Sequence, residues 1–118
     1  MTQDAGEQMK TRLRADLVAA MKDKRTVEAK VIRTLVTAID NAEAPAAEPG
    51  TKATDHHHFH SGSAEVERRL LTPSRVREAL LAEVEERERA AAEMDRVQQR
   101  GRAEELRAEA LLASRYLA

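Results

Sequence analysis

Apolar residues recur along this chain at helical spacing. Met9, Leu13, Leu17 and Met21 come every four positions, with Ala20 beside them, and predict one stripe on a first helix that starts near Asp4 to Glu7. The acidic residues at that start suit the positive end of a helix dipole. Lys22-Asp-Lys-Arg25 makes a polar break, and Thr26 is the expected N-cap of the next helix. That second helix is predicted from about Val27 to Ala42, where Val31, Ile32, Leu35, Val36, Ala38 and Ile39 cover a wide face. Its β-branched residues lower helix propensity, so a strand competes. The spacing of Ile32, Leu35, Val36 and Ile39 decides for a helix, because strict alternation is absent. This is the most apolar segment and is expected to be the most buried.

Residues 44–70 read as a flexible connector, with a short helical piece expected at Glu65 to Leu70. Pro45, Pro49, Gly50 and Gly62 break any periodicity, and the segment carries Asp55-His-His-His-Phe-His60. A third helix then has a strong start signal. Thr72 fits the N-cap, Pro73 fits the first helical position, and Leu71 and Val76 are spaced to close a hydrophobic staple across the cap. Val76, Leu80, Val84, Ala91, Met94 and Val97 continue its stripe toward Arg100, a span of about 40 Å at the helical rise. Gly101 is the expected left-handed stop. A last helix, from about Arg102 to Tyr116, carries Ala103, Leu106, Ala110, Ala113 and Leu117 in a heptad-like seam.

The predicted fold is all-α: a single domain over residues 1–118, with four main helices as two hairpins, at 2–43 and 71–118, joined by the His-bearing connector. Composition agrees. Aromatics are only 2% of 118 residues, so the core must be built from aliphatic side chains, which suits helix-on-helix packing. Charged residues reach 35%, as in long exposed helices, yet the net charge is −1, so no global field attracts nucleic acid or an anionic membrane. The absence of cysteine removes disulfides, thiol catalysis and thiolate metal sites. No apolar run approaches the roughly 20 residues that cross a bilayer, and the polar N-terminus is unlike a signal peptide. A soluble, cytoplasmic protein without membrane partners is expected.

Candidate chemistry is sparse. His56, His58 and His60 alternate, and imidazoles so placed in an extended segment can converge on a divalent metal. The competing reading is a solvated connector that binds metal only adventitiously, and pH sensing is a further use of the same histidines. Lys22, Lys24, Arg25, Lys30 and Arg33 gather basic charge at the first helical corner, where they either contact RNA phosphates or form a solvated corner diluted by Asp23 and Glu28. Asp40, Asn41 and Glu43 form a polar helix end. No phosphate-binding glycine loop, zinc-helix motif or catalytic triad pattern occurs, so no cofactor and no independent active site are expected.

Two stretches carry a family resemblance. Leu13, Asp16, Leu17, Ala20, Met21 and Lys22 match a helix reading Leu-x-x-Asp-Leu-x-x-Ala-Met-Lys. Ile32, Arg33, Leu35, Ala38, Ile39, Asn41 and Glu43 match Leu-Arg-x-Leu-x-x-Ala-Ile-x-Asn-x-Glu, with Ile32 in place of the leading Leu. With Gly101-Arg102 and Tyr116-Leu117 in order behind them, the chain resembles the N-terminal helical domain of the GatB/YqeY family, relatives of the tail of a tRNA-dependent amidotransferase subunit. The connector is unmatched, and its histidines are not a family feature. The resemblance implies a non-catalytic accessory or binding module, with tRNA or amidotransferase components as partners. It also brings the family's inherited description as a carbon–nitrogen ligase with glutamine as amide donor, which ranks last. The alternative is a helical protein–protein interaction module that forms a homodimer or larger oligomer through the long third helix and binds no RNA.

Overall fold

The computed structural model describes residues 4–44 and 70–118. Among these, four α-helices follow one another: α1 (Ala5–Lys22), α2 (Thr26–Glu43), α3 (Pro73–Arg96) and α4 (Arg100–Ser114), the last continued by a 3₁₀ turn, Arg115–Leu117. No strand occurs among the described residues. α1 packs along α2, α3 packs along α4, and α2 lies against both members of the second pair. The connector, with its predicted helical piece and with His56, His58 and His60, lies outside the described residues.

Both hairpins turn by the same device. At the end of α1 the Lys24 N–H donates to the Met21 carbonyl (3.1 Å) and the Arg25 N–H to the Ala20 carbonyl (2.8 Å). At the end of α3 the Gln98 N–H donates to Asp95 (3.0 Å) and the Gln99 N–H to Met94 (2.7 Å). These are the two bonds of a Schellman motif, which needs one residue in the left-handed region. Lys24 (φ 59°) and Gln98 (φ 61°) supply it. Gly101, expected as the left-handed stop, instead sits inside the first turn of α4. The chain turns at Gln98, three residues earlier, because the carbonyls of the last turn of α3 are satisfied there. Thr26 is likewise the first residue of α2 rather than its cap; Arg25 holds the cap position without a side-chain bond. The third start follows expectation: Thr72 Oγ1 accepts from the Arg75 N–H (3.2 Å), and Leu71 and Val76 are buried.

Asp4 begins α1 and also joins the two hairpins. Its carboxylate accepts from the Gly6 (3.3 Å) and Glu7 (3.0 Å) N–H groups of the first turn and from the Leu71 N–H (2.6 Å) ahead of α3. The Ala5 N–H returns to the Leu71 carbonyl at 3.3 Å. The hydrogen bond from Leu71 is the main reason that the Asp4 carboxyl titrates below its ordinary value; the bonds from Glu7 and Gly6 add to it against partial burial.

The core gathers Leu13, Val31, Ile32, Leu35, Ile39, Val76, Leu80, Val84 and Tyr116. A smaller cluster of Ala91, Ala103 and Leu106, with Met94 against it, closes α3 on α4 beyond the main core. Two members of the predicted stripes fall outside. Met21 is 54% exposed. A strict four-residue spacing advances about 40° per step on a 3.6-residue helix, so three steps from Met9 carry Met21 off the face that Leu13 and Ala20 bury. Val97 caps α3 and is 56% exposed.

Candidate nucleic-acid interface

The basic corner predicted at the end of the first helix divides in three. Lys22 and Lys24 are exposed at the α1–α2 turn and form no salt bridge among the described residues. Arg25 stays beside them and holds Asp23 (3.2 Å) and Glu28 (2.6 Å). Lys30 is drawn toward α4, where its Nζ lies 3.5 Å from the Glu109 carboxylate. Arg33 faces α1, with a guanidinium nitrogen 3.6 Å from the Met21 sulfur. One helix thus distributes its cations over separate faces.

The fold adds two arginines that sequence spacing does not bring to this corner. Arg115, from the turn after α4, reaches Glu28 at 3.1 Å. Glu28 is therefore clamped between two guanidiniums, and the hydrogen bond from Arg25, joined by that from Arg115, depresses its pKa against a partial burial penalty. Arg12 lies over the Tyr116 ring, 4.6 Å from its centroid. Arg12, Arg25 and Arg115, with Asp16, Glu28 and Tyr116, line a polar notch of about 220 Å³. The Tyr116 hydroxyl donates to Asp16 at 2.6 Å. Burial first, and that bond second, push the phenol up to about 12. Lys22 and Lys24 are exposed in the turn next to Arg25, so this end of the molecule carries five cations with the carboxylates of Asp16, Asp23 and Glu28.

This arrangement suits anion contact better than proton transfer. Both notch carboxylates are engaged by strong donors, Asp16 by the phenol and Glu28 by two guanidiniums. The Tyr116 ring is buried, so no base stacks on it; the exposed Arg12 guanidinium is the planar group that a base could stack on.

No protein family, curated protein or solved structure matches this chain.

The polar end of α2 also changes meaning. Glu43 is buried, and its carboxylate takes the Lys10 ammonium at 2.6 Å, with Asp40 at 3.0 Å on the same nitrogen. Burial works against the charged Lys10, but the bonds to Glu43 and then Asp40 outweigh it and raise its pKa. Gly6 lies close against this pair: a Cβ there would stand 2.6 Å from Glu43 Oε2, so the carboxylate would have to shift. Asp40 and Glu43 are thus tied into the α1–α2 interface, while Asn41 remains exposed. Glu109 plays a matching part in the second hairpin, buried against Arg87 at 3.3 Å and within reach of Lys30.

Proposed function

We propose that this chain is a non-catalytic helical binding module that contacts RNA phosphates through the α1–α2 corner. The observation that carries this reading is the arrival of Arg12 and Arg115 beside Arg25, around a notch of phosphate-accommodating size, with Lys22 and Lys24 exposed in the turn that leads to Arg25. Guanidiniums and ammoniums at such a corner supply the salt-sensitive part of nucleic-acid affinity. The resemblance of the helical motifs of α1 and α2 to the GatB/YqeY family points to tRNA or a component of tRNA amidation as the partner, in the cytoplasm. No helix among the described residues is long and apolar enough to cross a membrane.

The test is a titration against bulk tRNA over a range of salt. If all five cations neutralise phosphates, log affinity should fall with log salt at a slope of about −3.5 to −4.5. Lys22→Glu with Lys24→Glu, at exposed positions, should weaken binding and flatten that slope by at least about 1.4. Absence of binding at low salt, or binding indifferent to salt, defeats the reading.

One observation favours the protein-interaction alternative. Leu111 on α4 is 71% exposed and borders a groove of about 460 Å³ with Glu88 and Arg107 on the long hairpin. Homodimer formation there would be seen by light scattering and lost in Leu111→Ser; a monomer at every concentration removes it.

A further inference from the structure

The face of α1 beside the notch has a different character. Arg14, Val18, Met21 and Lys22 stand at i, i+4, i+7 and i+8, so they share one side of the helix over about two turns. Val18 and Met21 are each 54% exposed, large apolar side chains left outside the core. Arg33 of α2 reaches Met21 and places a third cation on the same face. Arg14, Lys22 and Arg33 are all exposed, and no carboxylate stands among these five residues.

We infer that this face docks an acidic amphipathic helix of a partner protein. Two apolar side chains one turn apart, with cations around them, complement a helix that carries Leu or Ile at i and i+3/i+4 between flanking Glu or Asp. Charge complementarity fixes the sign of the partner and guides encounter, and burial of Val18 and Met21 supplies the holding contact. Apolar side chains at the centre of the face suit a protein better than a phosphate backbone, which leaves them unburied. An anionic bilayer suits it less well, because the broad apolar face of α1 is committed to the core and only two side chains are left to insert. The inference is independent of the RNA reading; of the five residues only Lys22 is shared.

The probe is a synthetic 20-residue helical peptide with a Leu stripe and Glu flanks, set against the same peptide with Lys flanks. Fluorescence anisotropy with the full chain should show the Glu peptide binding at least tenfold more tightly. Val18→Ser with Met21→Ser should weaken the Glu peptide at least tenfold while leaving the thermal melt and tRNA binding unchanged. Arg14→Glu with Arg33→Glu should reverse the preference between the peptides. Equal binding of the two peptides, or wild-type binding by the double-serine protein, overturns the inference. So does self-association, or binding to vesicles with phosphatidylserine, that the double-serine change abolishes, because the occupant is then a second copy or a membrane.

Discussion

Replacing Lys10 with Met should destabilise this protein severely, and replacing its partner as well should restore most of the loss. Lys10 and Glu43 side chains are 6% and 4% exposed, with 2.6 Å between charged atoms, whereas Asp40 is 40% exposed. The Asp40 contact lies in high dielectric and is worth under about 1 kcal/mol. The Glu43 contact is different. Lys10→Met breaks a buried ion pair 2.6 Å long, which costs about 3–5 kcal/mol. Lys10→Met with Glu43→Leu removes both desolvated charges and fills the space with carbon, an exchange that is often neutral or stabilising. The double variant should therefore lie within about 1 kcal/mol of wild type, so the coupling energy between the two positions should be at least about 2 kcal/mol. Urea unfolding followed by circular dichroism at all four corners of the cycle measures this. A loss of under about 1 kcal/mol for Lys10→Met, or additive single effects, would show that the pair is not the desolvated contact its geometry implies.

Gly6→Ala should destabilise by about 1–3 kcal/mol, the usual cost of overpacking, because the added methyl meets the Glu43 carboxylate; thermal melts check it. Gln98→Gly should stabilise by about 0.5–1 kcal/mol, since the left-handed cost of a side chain exceeds the entropy lost by glycine, and Gly101→Ala in the first turn of α4 should stabilise as well. Tyr116 is the sole tyrosine, so its ultraviolet titration is unambiguous and should centre near 12 rather than about 10. The contribution is fully present below the unfolded value and is lost as pH rises through the folded one; Asp16→Asn should bring the midpoint down. The Asp4 carboxyl is shifted the other way, so its contribution is present above the ordinary carboxylate range and lost as pH falls through its depressed folded value. Asp4→Asn, which keeps a cap but not the charge, should flatten the acid limb of a stability–pH profile.

The helices and the start of α3 were legible because their signals are local. Thr72-Pro73 needs no partner to announce a cap, and Ile32, Leu35 and Ile39 carry their period within two turns. What the sequence does not display is which polar residues meet across long separations. Lys10 and Glu43 stand 33 residues apart, and Tyr116 and Asp16 stand 100 apart. Glu28 reads in sequence as a charge that dilutes a basic patch; in the fold it orders that patch by holding Arg115 against Arg25. Met21 was misplaced by a spacing slightly too long for the helix, and the left-handed turn at Gln98 was hidden because a glycine nearby offered a more familiar residue for it. Along the chain the basic corner is a cluster of Lys22, Lys24, Arg25, Lys30 and Arg33. In the fold Arg12 and Arg115 join Arg25 around the notch, while Lys30 pairs with Glu109 and Arg33 lies against Met21.

Asp4 has a consequence for how the molecule opens. One carboxylate holds the first amides of α1 and the amide of Leu71, which leads into the second hairpin. Fraying of α1 at its N-terminus and release of the segment that leads into α3 are then a single event. Hydrogen exchange at Gly6, Glu7 and Leu71 should report the same opening free energy and shift together in Asp4→Ala, a cooperative unit defined by a side chain rather than by a helix.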